Sequence, residues 1–188
     1  MRSRPLIAVL GLAFIQAACA DSRTPTEARS PRGVANADRT VDGESGKVVS
    51  IFDGCDPASF ADVGVSCVRP GGLTFGQFLA QITPDHQPGA WHFAPSELNI
   101  KVGETFIALN RGGETHTFTE VKQFGGGRIQ LLNDASGNPV EAEECKNDAT
   151  VNFLVPGQKF VDAADEEGDE LYQCCIHPWM RTVVHRHG

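Results

Sequence analysis

The stretch YQCCIHPWM, near the C-terminal end of the sequence, concentrates side chains that bind redox metals. Cys174, His177 and Met180 follow one another with the spacing C-x-x-H-x-x-M, and a second cysteine, Cys175, stands directly beside the first. Thiolate, imidazole and thioether groups are soft or borderline ligands. In a tight loop between two strands, three side chains at this spacing turn toward one centre. The stretch therefore predicts most of a metal site.

Such a centre needs one more ligand from a different strand, and His116 in ETHTF is the candidate, because it follows a Gly-Gly turn in a strand-like segment. Two imidazoles, one thiolate and one thioether favour copper, since zinc rarely takes a thioether and iron–sulfur clusters need more thiolates. A His-His-Cys plane with a weak axial methionine is the blue-copper arrangement used for electron transfer. We predict one copper per chain, bound by His116, Cys174, His177 and Met180.

The other histidines have no comparable surroundings. His92 alternates with apolar neighbours, so we expect it to face solvent, and His86 lies in a polar segment. We interpret the final HRHG as a frayed tail. Pro178 and Trp179 stand between two predicted ligands, and we expect them to form an apolar patch around a His177 that lies near the surface, through which electrons enter or leave.

The elements that must position these residues are mainly strands. From residue 90 onward, apolar residues alternate with polar ones between Gly and Pro turns, which predicts an antiparallel β-sandwich. Upstream, LTFGQFLAQI predicts one short helix that begins with a capping box of Thr74 and Gln77. We expect its apolar face to belong to the core or to a docking surface. Residues 133–150 are interpreted as polar and irregular.

These pieces resemble a known family. The sequence CIHPWM is similar to the copper loop of small cupredoxins, closest to the amicyanin and plastocyanin-like members, and GETFIALNRGGETHTF and FLVPG resemble further parts of that family. The resemblance covers about residues 90–184. It implies an all-β, Greek-key β-sandwich with one type 1 copper on His116, Cys174, His177 and Met180, which carries electrons between redox partner proteins and is not an enzyme.

The sequence departs from the amicyanin pattern beside the first histidine ligand. Members of that group have proline before this histidine and asparagine after it, whereas Thr115 and Thr117 stand here. In the family, the residue after the histidine helps to hold the loop that carries the cysteine, and its hydrogen bonds tune the metal. The departure therefore concerns the reduction potential more than the set of ligands.

Strand alternation separates the two adjacent cysteines. Tyr172 and Cys174 share one face of a strand, and Cys175 lies on the other face. Because an aromatic residue is expected inside, Cys174 is predicted to face the metal. The spacing agrees, since Cys175 would leave a strained C-x-H loop.

The remaining cysteines predict two disulfides. Cys55 and Cys67 bracket a small loop, and we favour a disulfide between them over a paired-cysteine metal site. Exclusion then leaves Cys145 as the partner of Cys175, which is a hypothesis based on counting. A redox-active disulfide between Cys174 and Cys175 is a minor alternative.

The N-terminus has the pattern of an export signal. A short basic segment, an apolar run and the small residues of QAACADS follow one another in residues 1–20. Either the chain is cut after Ala20, or Cys19 is lipidated as in a bacterial lipoprotein. Both routes predict a periplasmic or other extracytoplasmic location. We expect a disordered tether over residues 21–46 and a cupredoxin-like domain over 47–188, made of an N-terminal extension (47–89) and a copper-binding core (90–188).

Composition limits the partners. The chain of 188 residues carries a formal net charge of -8, which argues against nucleic acid, and a membrane is expected only through a lipid on Cys19. We expect a monomer that meets an electron donor and an electron acceptor. The alternative function is a copper chaperone or sensor, although Met1 and Met180 are the only methionines. A copper oxidase or nitrite reductase would need further histidine clusters.

Overall fold

The computed structural model describes residues 47–147 and 152–188. The predicted export signal, the tether and Cys19 lie outside these residues. The described elements are β1 (Lys47–Phe52), α1 (Pro57–Ala61), α2 (Phe75–Gln81), β2 (His92–Ala94), β3 (Glu97–Lys101), β4 (Thr105–Asn110), β5 (His116–Thr117), β6 (Thr119–Val121), α3 (Gln130–Ala135), α4 (Glu143–Lys146), β7 (Phe153–Leu154), β8 (Lys159–Ala163), β9 (Gly168–Gln173) and β10 (Arg181–His187). None of the described helices is long and apolar enough to cross a membrane.

Two four-stranded sheets form the body of the domain, in the orders β2-β1-β4-β8 and β3-β10-β9-β6, and β5 pairs with β7 in a small third sheet. The predicted all-β sandwich is confirmed. The expectation of purely antiparallel sheets is wrong, because β1 runs parallel to β4 and β10 runs parallel to β3. A parallel pair needs a long crossover between its strands, and the alternation of apolar residues contains no information about such partners.

Aromatic side chains fill the space between the two sheets. Phe106 of β4 contacts Tyr172 of β9 with ring centroids 5.6 Å apart, and Phe118 stacks on Tyr172 at 4.5 Å. All three side chains are buried in one hydrophobic cluster that also contains Cys174 and Met180. The core of the sandwich therefore continues directly into the region of the predicted metal ligands.

Residues 47–89 pack into the same body. β1 pairs with β2 on one side and with β4 on the other. Helix α2 begins at a capping box between Thr74 and Gln77, as predicted, and buries Phe78. The ring of Phe78 contacts that of Trp91, with the ring centroids 4.6 Å apart. The division into an extension and a core at residue 90 stays a prediction, and the contacts across it are extensive.

The sequence predicted one short helix, and the described residues contain four. Helix α4 falls in the segment 133–150 that was expected to be irregular, and α3 overlaps the start of that segment. Neither has a side-chain hydrogen bond at its N-cap, and each is at most six residues long, so neither has a clear start signal. The interpretation of HRHG as a frayed tail is also wrong, because His185 and His187 belong to β10, which pairs with both β9 and β3.

Candidate metal centre

Three of the four predicted ligands meet at the end of β9. The Nδ1 atom of His116 lies 3.9 Å from the Sγ atom of Cys174, and the Nδ1 atom of His177 lies at the same distance from it. All three side chains are buried, and their ligand atoms lie within 4.8 Å of one another. Cys174 is a free cysteine. This is a compact donor set of one sulfur and two imidazole nitrogens, which suits copper.

The loop from Cys174 to Met180 is closed by its own backbone. The N–H of Cys174 donates to the carbonyl of Met180 at 3.0 Å, and the N–H of Met180 donates to the carbonyl of His177 at 3.0 Å. Pro178 is buried between them and restricts the backbone. The Met180 side chain is fully buried in the cluster that contains Cys174. The loop thus places the predicted thioether ligand near Cys174 and His177 in sequence, in the same buried cluster as Cys174.

Backbone amides surround the Cys174 sulfur. The N–H of Thr117 donates to it at 3.4 Å and the N–H of His177 at 3.5 Å. Burial on its own raises the pKa of the Cys174 thiol, but hydrogen bonds and charge interactions with His116 and His177 outweigh it and hold that pKa well below its usual value. The lowered pKa favours the thiolate form of Cys174, which is the form that binds metals.

Thr117 connects the strand of His116 with the loop of Cys174. In addition to its N–H contact with the sulfur, its Oγ1 atom accepts a hydrogen bond of 2.7 Å from the N–H of Cys175. The hydroxyl of Thr119 donates to the same oxygen at 3.1 Å. Thr117 thus holds the cysteine loop, which is the task that the resemblance gave to the residue after the first histidine.

Asp53 lies behind His116 and was not predicted from the sequence. The Nε2 atom of His116 lies 2.9 Å from Asp53 Oδ2, and both side chains are buried. Burial alone would raise the pKa of Asp53, but hydrogen bonds from His116 and from two backbone amides lower it to about 2. For His116, burial lowers the pKa, yet its bonds to Asp53 and Cys174 raise it to about 9 in the metal-free protein.

Glu114 occupies a similar position behind His177. Its Oε2 atom accepts a hydrogen bond of 2.6 Å from the indole N–H of Trp91 and lies 4.0 Å from His177 Nε2. Burial raises the pKa of this carboxyl group above its usual value, and the charge of His177 partly opposes that shift. Each imidazole therefore turns Nδ1 toward Cys174 and Nε2 toward a buried carboxyl group.

Aromatic rings cover His177, which is only 3% exposed. Phe78 contacts the imidazole edge-on at 5.9 Å, Trp91 lies at 6.4 Å and Trp179 at 5.6 Å between ring centroids. His177 itself is buried, because helix α2 and the residues before β2 pack over it. Trp179 is half-buried and is the member of this group that reaches solvent.

Both predicted disulfides are present, Cys55–Cys67 and Cys145–Cys175. Cys175 and Cys145 belong to a small cluster that is separate from the main core containing Cys174. The predicted split of the adjacent cysteines is therefore confirmed, and a Cys174–Cys175 disulfide does not form. His86 and His92 are exposed, as expected for His92, and neither belongs to a metal-ligand group among the described residues.

Asp53 and Glu114 were not predicted from the sequence, because no local motif identifies them. Asp53 is 63 positions from His116, and only the parallel pairing of β1 with β4 brings the two segments together. The Gly112-Gly113 turn was a usable signal. A Cβ atom on Gly112 would collide with the Asp53 carboxylate, so the glycine leaves room for that group.

Comparison with known proteins gives similarity to solved structures alone. No family model matches the chain, and no curated protein matches it. A purple cupredoxin from Nitrosopumilus maritimus is 20% identical, with a TM-score of 0.42 over 74% of this chain and 98% of its own. An amicyanin variant in the Cu(I) form is 21% identical, with a TM-score of 0.35 over 51% of this chain and 73% of its own. A second reduced amicyanin variant is 17% identical, with a TM-score of 0.39 over 79% of this chain and 87% of its own.

The arrangement of this chain is cupredoxin-like. It consists of two packed sheets, with a group of two histidines and one cysteine at the end of β9.

Proposed function

We propose that this protein is an exported one-electron carrier with a single type 1 copper, bound by His116, Cys174, His177 and Met180. The observation that supports it best is the buried, unpaired Cys174 with an imidazole Nδ1 atom 3.9 Å away on each side. A thiolate with two imidazoles and a weak thioether is the set that serves electron transfer. Copper bound there supplies a one-electron couple between Cu(II) and Cu(I).

The chain keeps the ligands in one arrangement for both oxidation states. Two backbone hydrogen bonds close the loop from Cys174 to Met180, and Thr117 holds that loop against β5. The aromatic cover excludes water from His177. Preorganised, water-excluded groups do not have to rearrange when charge moves, which favours rapid electron transfer.

Electrons reach the site over Trp179 in this proposal. Of the three Phe and Trp rings that contact His177, Phe78 and Trp91 are buried, whereas Trp179 is half-buried. Ile176 is also half-buried in the same loop and packs against the core. The proposed docking surface for redox partner proteins is this patch of Trp179 and Ile176, and His177 lies directly beneath it.

The alternative function is copper delivery or sensing. A chaperone exchanges its metal readily and therefore benefits from exposed ligands. Here His116, Cys174 and Met180 are fully buried and His177 nearly so, which supports electron transfer over exchange. The proposal assigns no enzymatic reaction to the protein.

The proposed location is periplasmic or otherwise extracytoplasmic, with the protein as a monomer. The two disulfides support this location, because such bonds persist in oxidising compartments. Lipidation of Cys19 and cleavage after Ala20 remain the two proposed routes, and the mass of the mature N-terminus distinguishes them.

Spectroelectrochemical titration of the copper-loaded protein tests the function. The proposal expects one electron per chain, with a visible charge-transfer band that disappears on reduction and returns fully on oxidation. A protein that gives up its copper rapidly to a chelator and shows no reversible couple would instead be a chaperone.

A further inference from the structure

The Asp53 carboxylate is buried directly behind a predicted copper ligand. Its Oδ2 atom accepts hydrogen bonds from His116 Nε2 and from the N–H of Glu114, each at 2.9 Å. The N–H of Gly113 donates to both carboxylate oxygens at 2.9 and 2.8 Å. The side chain is 3% exposed. It is therefore oriented by several donors in a poorly solvated place.

We propose that Asp53 is a positioning residue that fixes His116 for copper and biases the site toward the oxidised metal. This inference rests on the proposed electron-transfer function and makes Asp53 one determinant of the reduction potential. A carboxylate that accepts the distal N–H of a ligand histidine fixes its tautomer and makes the imidazole a stronger donor. Here the fixed tautomer has its proton on Nε2, which leaves the Nδ1 lone pair facing the metal position.

The charge of Asp53 is compensated by the amides of Gly113 and Glu114 and by one ion pair. Among the described residues its ion-pair partner is His116 alone, and that imidazole is neutral once Nδ1 holds a metal. The remaining negative charge then acts on the metal through a short path of low dielectric constant. Because Cu(II) carries one more positive charge than Cu(I), the carboxylate stabilises the oxidised state more.

The surrounding backbone makes room for this carboxylate. Gly112 cannot carry a side chain without striking Asp53, and the carboxylate also orders the amides of Gly113 and Glu114 just before His116. A structural role for Asp53 is therefore certain to accompany any electronic role. The test must separate the negative charge from the acceptor oxygen.

The substitution Asp53→Asn separates them, because it keeps one acceptor oxygen and removes the charge. The ratio of the Cu(II) affinity to the Cu(I) affinity should fall about tenfold. This is the low end of the range of about 10–100-fold by which the loss of such a partner lowers metal affinity. For a one-electron couple this equals a rise of about 59 mV in the reduction potential. The control is Asp162→Asn, because Asp162 on β8 contacts Tyr172 and Arg186 and no predicted ligand. It should leave the potential unchanged.

A measurement on the unchanged protein covers the case in which Asp53→Asn fails to fold. In the diamagnetic Cu(I) form at neutral pH, ¹⁵N NMR should show His116 with its proton on Nε2, protected from exchange. A proton missing from Nε2, or an Asp53→Asn protein with the parent potential, would overturn this inference. A parent protein without a reversible copper couple would instead contradict the proposed function.

Discussion

The hydroxyl oxygen of Thr117 accepts a 2.7 Å hydrogen bond from the backbone N–H of Cys175, and this contact joins two halves of the site that are 58 residues apart in sequence. Thr117 directly follows His116, and Cys175 directly follows Cys174. The bond therefore sets the distance between the histidine of β5 and the cysteine at the end of β9. Thr117 thus holds the cysteine loop from the position directly after His116.

Substitution of Thr117 by alanine should lower the free energy of unfolding. It leaves the buried N–H of Cys175 without this partner, and an unsatisfied buried donor costs about 1–3 kcal/mol. We expect the free energy of unfolding of the metal-free protein to fall by that amount in denaturant titrations. Thr117→Ser keeps the hydroxyl and should lose much less. Equal losses in the two variants would show that the hydrogen bond is unimportant.

Removal of the Cys145–Cys175 disulfide should leave the metal site intact. We expect the double substitution Cys145→Ser and Cys175→Ser to lower the free energy of unfolding by about 2–5 kcal/mol, as for other native disulfides. The copper colour should persist, because Cys175 belongs to a cluster separate from that of Cys174. Visible absorption and thermal unfolding of the copper-loaded variant check both statements. A colourless but folded double variant would contradict this division of roles.

Copper uptake should release a proton at neutral pH. The pKa of His116 is raised to about 9 in the metal-free protein, above its ordinary value of 6.5, so at pH 7 its imidazole is protonated. The lowered pKa of Cys174 favours a thiolate, which has no proton to release. Binding must therefore displace about one proton, from His116.

A pH-stat titration with stoichiometric copper measures this release. About one proton per copper is expected near pH 7, and the release should decline as the pH rises through about 9, because His116 is then neutral before the metal arrives. In the metal-free protein the raised pKa of His116 contributes stability that is fully present below pH 6.5 and is lost as the pH rises through about 9. Copper binding without proton release at pH 7 would show that His116 is already neutral there.

Electron exchange should be sensitive to Trp179. A glutamate at this position places like charges opposite each other when two copies meet over the patch of Trp179 and Ile176, and like-charge contacts cost several kcal/mol. We expect the electron self-exchange rate of Trp179→Glu to fall at least about tenfold, which corresponds to about 1.4 kcal/mol. NMR line broadening in partly oxidised samples measures this rate.

Val161→Glu is the matched control for that experiment. Val161 is an exposed apolar residue on β8, in the other sheet from the strands that flank the cysteine loop. Its substitution adds the same charge and should leave the self-exchange rate close to that of the parent protein. Equal slowing in both variants would indicate an effect of total charge and would remove the support for docking over Trp179.

The local parts of the site were predictable, and the distant parts were not. The C-x-x-H-x-x-M loop and the opposite directions of Cys174 and Cys175 follow from spacing and from strand alternation. Asp53 and Phe78 reach the ligands through a parallel strand pair and a packed helix, and neither contact has a periodic signal. For the same reason the cover that Phe78 and Trp91 form over His177 was not predicted, although the helix that contains Phe78 was.

Helices α3 and α4 show a second limit. α3 and α4 are short and have no side-chain cap, so tertiary contacts must determine them. Cys145 on α4 is joined to Cys175, which ties α4 to the end of β9. Counting cysteines could predict this pairing, but it could not predict the helix on which Cys145 lies.

The central claim is that the thiolate of Cys174 binds copper, and visible absorption of the Cu(II)-loaded protein tests it most directly. The account predicts an intense thiolate-to-copper charge-transfer band in the parent protein, and its loss in Cys174→Ser with the fold retained. A colourless copper-loaded parent protein, or a Cys174→Ser variant that keeps the band, would contradict it.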